Sequence, residues 1–220
     1  MTEYDWVDLF GSEEESEPES ENVITFDFIP GLKLIREGLK HDEQMALVNA
    51  LIENDYFSGP DSNQVMLFGN LPDYLSWISS WLIEHYPTLF PTHISQRQPL
   101  FDQSILNIDC LQSFVSIGEG ILSHVDLLRF EDGILIISLL SSCVMKMRST
   151  EHDKSVDVLL RPGDVLALFG EARYKWEHGI EETERDFFEG EWLERGTRIS
   201  VTLRKLVNTS QEHMISGTRS

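Results

Sequence analysis

The stretch ILSHVDLLRF, residues 121–130, carries a histidine and an aspartate two positions apart within an apolar run. Successive side chains of a β-strand point to opposite faces, so His124 and Asp126 are predicted to lie side by side on one face. Val125 and Leu127 are then expected to point into a core. Two chemical interpretations follow: a hydrogen-bonded pair at the end of a strand, or two ligands of a metal ion.

A third ligand for such a metal is offered by His178, in RYKWEHGI (173–180), just after the predicted strand DVLALF (164–169). Gly179 beside it allows the backbone to approach a site closely. Two histidines and one carboxylate leave three metal positions open, which is the arrangement of non-haem iron(II) oxygenases. Zinc would accept the same three side chains together with a water molecule. The remaining histidines are predicted to lie at the surface.

A second chemical pattern lies near the end of the chain, in RGTRISVTLRKL, residues 195–206. Arg198, Ser200, Thr202 and Arg204 alternate there with apolar residues, so one face of a predicted strand carries two guanidinium groups. Each guanidinium can bind a carboxylate through two hydrogen bonds, and the pair would suit a dicarboxylate beside a metal. The alternative is an exposed strand face that forms salt bridges.

The elements that must position these residues fall into two groups. Residues 41–55 and 72–86 show apolar residues at helical spacing, and the aromatic stripe of the second helix is predicted to pack onto a sheet. Short apolar segments separated by turn residues dominate from about residue 103. The predicted strands are 23–29, 104–114, 120–127, 133–140, 143–149, 156–160, 164–169 and 197–206. An α+β fold with a jelly-roll or sandwich core is expected.

The chain is strongly acidic, with a formal net charge of −21 over 220 residues. Residues 1–22 contain nine acids and no Lys or Arg, and the remainder has 29 acids against 17 bases. The negative electrostatic field of such a chain repels phosphates and therefore argues against a nucleic acid as the partner, without excluding a local basic patch. The two cysteines, 110 and 143, lie in apolar segments and are predicted to be buried thiols of a reducing compartment.

The ends of the chain are predicted to be tails around a domain at 23–207. Residues 1–22 are expected to form an acidic disordered tail that serves solubility or binds a basic or apolar partner, and residues 208–220 a polar tail. No apolar run is long enough to predict a membrane span. The first residues lack the features of a signal or transit peptide, so a cytoplasmic or nuclear location is expected.

Taken together, the His-x-Asp pair, RPGDVLALFGEARYKWEHGI and RGTRISVTLRK resemble the AlkB-like family of iron(II)/2-oxoglutarate dioxygenases. The resemblance covers roughly residues 24–206 and is most specific over 117–205. It implies a double-stranded β-helix core with flanking N-terminal helices. It also implies Fe(II) on His124, Asp126 and His178, and 2-oxoglutarate held by Arg198 and Arg204, with Ser200 beside them.

The sequence departs from the family in two places. An Asn-x-Tyr usually precedes the His-x-Asp motif, but the usual offset gives Ser113 and Val115, and an alternative register gives Asn107 and Asp109. Neither register supplies a tyrosine. Demethylases of nucleobases often have an acid two residues after the metal aspartate, where this chain has Leu128, so an apolar pocket floor is expected.

The resemblance implies an enzyme that oxidises a C–H bond, by hydroxylation or oxidative N-demethylation, with O₂ and 2-oxoglutarate as co-substrates. Two macromolecular substrates stay open: an alkylated nucleobase, which is the commoner role in the family, and a basic protein such as a histone, which charge favours. The alternative is a non-catalytic AlkB-like module that binds partners through its acidic surface.

Overall fold

The computed structural model describes residues 22–57, 63–109 and 120–208. Of the two predicted tails it describes only Asn22 and Asn208, so their boundaries remain predictions. The strands in the described ranges are β1 (Val23–Thr25), β2 (Leu32–Ile35), β3 (Gln64–Phe68), β4 (Gln103–Asp109), β5 (Ile121–His124), β6 (Ile134–Leu139), β7 (Cys143–Ser149), β8 (Ser155–Leu160), β9 (Val165–Leu168), β10 (Trp176–Ile180), β11 (Arg185–Phe188), β12 (Glu191–Glu194) and β13 (Arg198–Arg204). The helices there are α1 (His41–Glu53), α2 (Asp73–His85), α3 (Thr92–Ser95) and α4 (Glu171–Tyr174).

The strands form two main antiparallel sheets and one hairpin. The large sheet has the order β1-β2-β9-β6-β13-β4-β3, the small sheet has the order β5-β10-β7-β8, and β11 pairs with β12. β13 lies between β6 and β4, so both of its edges are hydrogen-bonded. Two facing antiparallel sheets with crossing connections form the expected jelly-roll core.

Helices cover the outer face of the large sheet. Ile78, Trp81 and Leu82 of α2 share one apolar cluster with the outward-facing residues of β6 and β13, as the aromatic stripe predicted. α1 begins at a capping box, in which the backbone N–H of Lys40 donates to Glu43 at 2.7 Å. The central strands β9, β6 and β13 of the large sheet are therefore buried on both faces.

A second apolar cluster fills the space between the two sheets. Ile134 and Ile136 of β6 meet Met145 and Met147 of β7 there, together with the buried thiol of Cys143. Cys143 is thus a small buried hydrophobic residue, as predicted, whereas Cys110 lies outside the described residues. No described helix has both the length and the apolar character needed to span a bilayer.

The strand predictions differ from the structure mainly at short or polar segments. β7 has the predicted bounds, and β4, β6, β8, β9 and β13 lie within two residues of theirs at every described end. The predicted strand at 120–127 ends at His124, and that at 23–29 ends at Thr25. β2, β3 and β10–β12 were not predicted from the sequence, because they are short and depend on their neighbours for hydrogen bonds.

Candidate metal centre

The two histidines come together across neighbouring strands of the small sheet. His124 is the last residue of β5, and it pairs directly with His178 of β10 in the antiparallel register. Directly opposed residues share a face of the sheet, and their ring centroids lie 4.5 Å apart. The ring nitrogen Nδ1 of His124 lies 2.8 Å from the carbonyl oxygen of Leu122, and a proton on Nδ1 would donate to it. That bond would leave Nε2 available to a metal.

Asp126 completes the group from a loop and not from the predicted strand. Its side chain is buried, and Oδ2 lies 3.6 Å from His178 Nε2. Potential ligand atoms of His124, Asp126 and His178 all lie within 4.8 Å of one another. The strand interpretation was therefore wrong after residue 124, and Leu127 is 60% exposed where a core contact was expected. The turn that follows β5 brings the carboxylate beside the histidines.

Gly179 allows the two histidine strands to approach, as its position suggested. A Cβ atom at this position would lie 2.9 Å from the carbonyl oxygen of Ile121 and 2.9 Å from the backbone N and Cα of Ser123. These neighbours are backbone atoms and cannot move without displacing β5. A side chain at residue 179 would therefore push the strand that carries His124 away from the strand that carries His178.

The polar face of β13 points into the space between the sheets. Arg198 is 2% exposed and Arg204 is 5% exposed, so the alternative of a solvent-exposed strand face was wrong. Both line a cavity of about 100 Å³ that the two histidines and Asp126 also line. The guanidinium group of Arg204 donates to Asp126 Oδ1 and, at 2.7 Å, to Gln103 Oε1. Arg198 Nε donates to Ser138 Oγ at 3.0 Å.

The same cavity contains the asparagine of one of the two registers that the sequence left open. β4 pairs with β13 so that Asn107 lies opposite Ser200, and both residues line the cavity. The amide nitrogen of Asn107 lies 3.5 Å from Ser200 Oγ. The register through Asn107 and Asp109 therefore has its asparagine at the site. Ser113 and Val115, the other register, lie outside the described residues.

Burial controls the charge of the site. Loss of solvation lowers the pKa of His178 to about 4, against the opposing attraction of Asp126, and the charges of His124, Arg173 and Arg204 lower it further. The neutral imidazole that results is the form that binds a metal ion. Burial also lowers the pKa of Arg204, while its ion pair with Asp126 acts in the opposite direction.

Two imidazoles and a carboxylate are the donor set of a non-haem Fe(II) site, and Arg198 and Arg204 add two buried cations to the same cavity. The residues thus fit Fe(II) and a dicarboxylate such as 2-oxoglutarate. Two contributors were not anticipated: Gln103, which orients Arg204, and Arg173, which contacts the loop of Asp126. Both act through hydrogen bonds between residues distant in sequence, which residue spacing does not reveal.

Comparison with known proteins agrees with this geometry. Residues 110–204 match the family model of the 2OG-Fe(II) oxygenase superfamily. The mouse protein "Alpha-ketoglutarate-dependent dioxygenase alkB homolog 7, mitochondrial" is 28% identical over 197 residues, which cover 86% of this chain and 74% of that protein. The Arabidopsis thaliana "Alkylated DNA repair protein ALKBH8 homolog" is 30% identical over 217 residues, covering 82% of this chain but 59% of the relative.

A solved structure has a similar fold. OsALKBH1 superimposes with a TM-score of 0.57 at 17% identity, over 80% of this chain and 98% of that one. A likeness at this identity concerns the fold. Together with the family model and the AlkB relatives, it supports an AlkB-like 2OG-Fe(II) oxygenase, and the members of that superfamily are dioxygenases that use Fe(II) and 2-oxoglutarate.

Proposed function

We propose that the chain oxidises a C–H bond of a basic protein, with Fe(II) on His124, Asp126 and His178. The choice of a basic protein as substrate rests on the negative charge of the chain. The described ranges contain 26 Asp and Glu against 16 Lys and Arg, and residues 1–21 add nine acids and no base. An acidic surface attracts a Lys- and Arg-rich segment and repels a phosphate backbone.

Three cations in or beside the small sheet support this choice because acids already pair with them. On the outer face of the small sheet, Lys146 Nζ lies 2.8 Å from Glu181 Oε1, and Arg148 lies 3.9 Å from the same atom. Lys175, which precedes β10, lies 3.3 Å from Glu151. A phosphate would have to compete with each of these carboxylates, so this face offers little to a nucleic acid.

The surroundings of the metal ligands are apolar and accessible. Leu122, Leu127 and Leu128 are 90%, 60% and 78% exposed, and they flank His124 and Asp126 in the chain. Leu128 therefore lies at the surface and not on a pocket floor, which corrects the expectation from sequence. Exposed leucines beside an acidic surface suit a substrate segment that mixes apolar and basic side chains.

Fe(II) on these residues, with 2-oxoglutarate and O₂, would supply the oxidising chemistry, in which one oxygen atom goes to the substrate C–H bond and the other to succinate, with release of CO₂. The protein supplies position. Arg204, which contacts Asp126, is proposed to bind the carboxylate end nearest the metal, and Arg198 the other end. Ser200 and Asn107 lie on the wall between them and are proposed to contact the same co-substrate.

Hydroxylation of an N-methyl group would give a product that releases formaldehyde and a free amine. Hydroxylation of another carbon would leave the oxygen on the protein. The two products differ in mass, and only the first yields formaldehyde. The experiment that identifies the substrate therefore also identifies the reaction.

The test compares substrates under one set of conditions. The full chain with Fe(II) and 2-oxoglutarate is assayed for succinate with a histone mixture, the same histones acetylated on lysine, and N-methylated oligonucleotides. We expect the histones to raise succinate formation above the substrate-free rate, and the acetylated histones to raise it less. Stimulation by methylated oligonucleotides alone would overturn the choice of a basic protein. Succinate formation that no protein or oligonucleotide raises would also contradict it.

A nucleobase substrate is the second candidate, and one observation favours it. The Arabidopsis relative is named an alkylated DNA repair protein, and it matches 82% of this chain. Such a substrate would require a local basic surface on a chain whose formal net charge is −21. The compartment is also a proposal: cytoplasm or nucleus follows from the sequence, whereas the mouse relative is named mitochondrial.

A further inference from the structure

One arginine outside the metal cavity holds the loop that carries Asp126. Arg173 is 1% exposed, and its guanidinium group donates to three backbone carbonyls of this loop. Nη1 donates to Asp126 O at 2.9 Å, and Nη2 donates to Leu127 O at 2.8 Å and to Phe130 O at 3.2 Å. A single side chain thus provides hydrogen-bond donors to three backbone carbonyls between residues 126 and 130.

The loop has few other anchors among its own side chains. Leu127, Leu128 and Arg129 are exposed, and only Phe130 at its end is packed in the interior. Burial of Phe130 therefore fixes one end of the loop, whereas hydrogen bonds hold the residues next to Asp126. Backbone bonds from Val207 to Arg129 and from Glu131 to Lys205 hold the far end of the loop. Because buried backbone groups need partners, the contacts of Arg173 hold the part next to Asp126.

Arg173 also connects this loop to the second histidine. It belongs to α4, which ends at Tyr174, and β10 with His178 begins two residues later. A reciprocal bond runs the other way, because the backbone N–H of Gly170 at the start of α4 donates to Asp132 Oδ1 at 2.9 Å. The segment before His178 and the segment after Asp126 therefore hold each other in place.

We propose that Arg173 is a positioning residue for the metal centre, which sets the distance between Asp126 and His178 without touching the metal. This inference rests on the proposed metal site. Arg204 and Arg173 then hold different parts of Asp126. Arg204 contacts its carboxylate, and Arg173 contacts its backbone carbonyl. Residues that orient metal ligands affect metal affinity about 10–100-fold when they are replaced.

The test measures metal binding directly, with Co(II) as the probe. Arg173→Met and Arg173→Lys are compared with the parent chain for Co(II) affinity, for the Co(II) absorption spectrum and for the melting temperature of the metal-free protein. We expect the Met variant to bind Co(II) about 10–100-fold more weakly with an altered spectrum. The Lys variant keeps the charge but cannot reach three carbonyls, so an intermediate loss is expected.

Arg36→Met is the matched control, because Arg36 also joins two segments, through the carboxylate of Asp164 and, at 2.7 Å, the carbonyl of Leu159. It should lower the melting temperature and leave Co(II) affinity unchanged. Asp126→Ala is the reference for the site itself. Unchanged Co(II) affinity in Asp126→Ala would refute the metal site and the positioning role with it.

Weakened binding in Asp126→Ala with Co(II) affinity in Arg173→Met within twofold of the parent would refute only the positioning role. Equal losses of Co(II) affinity in Arg173→Met and Arg36→Met would overturn the proposal as well. Failure of both Arg173 variants to fold would make Arg173 a determinant of folding, and that result would also overturn it.

Discussion

The two walls of the cavity are built differently. The wall that carries Arg198 and Arg204 is β13, whose residues pair on one side with β4 and on the other with β6. The wall that carries His124 and Asp126 is β5, a four-residue strand at the edge of the small sheet, with an irregular register against β10 and a loop after it. Backbone ladders fix the first wall, and side-chain contacts fix much of the second.

This difference separates the two tasks of the site. A dicarboxylate is bound best by cations that are held rigid before it arrives, because less ordering is then required on binding. A metal ion draws its own ligands together and can stabilise a less constrained segment. We therefore expect changes in the β5 wall to act on the metal first, and changes in the β13 wall to act on 2-oxoglutarate first.

The largest effect is expected from Asp126→Asn, on the loop side. The amide is a poorer metal ligand, so the affinity for Fe(II) or Co(II) should fall by about 100-fold or more, beyond the range seen for residues that only orient a ligand. Calorimetric titration with Co(II) measures this loss, and 2-oxoglutarate turnover should disappear with it.

Asp164→Asn is the control for Asp126→Asn, because Asp164 is another buried carboxylate paired with an arginine, Arg36. It should reduce the free energy of unfolding and leave the affinity for Co(II) unchanged. A similar loss of Co(II) affinity in both variants would mean that Asp126 acts through stability alone.

The next effect is expected on the sheet side, from Arg198→Ala. A carboxylate that loses a buried charged partner costs about 2–5 kcal/mol, so the concentration of 2-oxoglutarate needed for turnover should rise tens-fold or more. Affinity for Co(II) without 2-oxoglutarate should stay close to that of the parent, because β13 keeps its hydrogen bonds. Succinate assays across 2-oxoglutarate concentrations check the first expectation, and titration checks the second.

Arg97→Ala serves as the control for Arg198→Ala. Arg97 is also largely buried and pairs with Glu131 at 2.9 Å, but it does not line the cavity. Its loss should leave the 2-oxoglutarate requirement unchanged. Equal requirements in Arg198→Ala and the parent would make Arg198 a purely structural residue.

A smaller effect is expected from Gly179→Ala, which widens the gap between β5 and β10. The added methyl group meets backbone atoms at 2.9 Å, and overpacking of this kind costs about 1–3 kcal/mol of stability. Because the two histidines lie on the displaced strands, Co(II) affinity should fall as well. In Gly196→Ala the nearest atom is Ser141 Oγ at 3.2 Å, a side-chain atom that needs to move only slightly, so both losses should be smaller.

The sequence could predict the site better on one wall than on the other, for a physical reason. The alternation in β13 indicates one polar and one apolar face. The structure adds only that the polar face is buried. The His-x-Asp spacing indicated residues that the structure does bring together, but by an inaccurate route, because Asp126 lies beyond the end of β5. Residue types indicated the candidate ligands, whereas the loop that brings them together depends on contacts with distant residues.

Those distant contacts explain what the sequence did not reveal. Arg173 is 47 residues from Asp126, and Gln103 is 101 residues from Arg204. Neither lies in a pattern that predicts a ligand. The position of Asn107 opposite Ser200 follows from the pairing of β4 with β13, which is a property of the sheet order. β10 was not predicted as a strand because its five residues, Trp-Glu-His-Gly-Ile, place three polar or glycine residues together between two apolar ones and show no alternation.

The smallest expected effect concerns acid stability and the second histidine. Burial lowers the pKa of His178 to about 4, below the ordinary value of 6.5 that the unfolded chain would show. Between these values the unfolded metal-free chain binds a proton that the folded one does not, so stability should fall as the pH drops from 6.5 towards 4. One proton contributes at most about 1.4 kcal/mol per pH unit, or about 2 kcal/mol between pH 6.5 and 5. Urea unfolding of the metal-free chain across this window measures the slope, which should be smaller in His178→Asn. An equal slope in both proteins would mean that other groups cause the acid sensitivity. His178 on β10 would then not be a buried neutral imidazole.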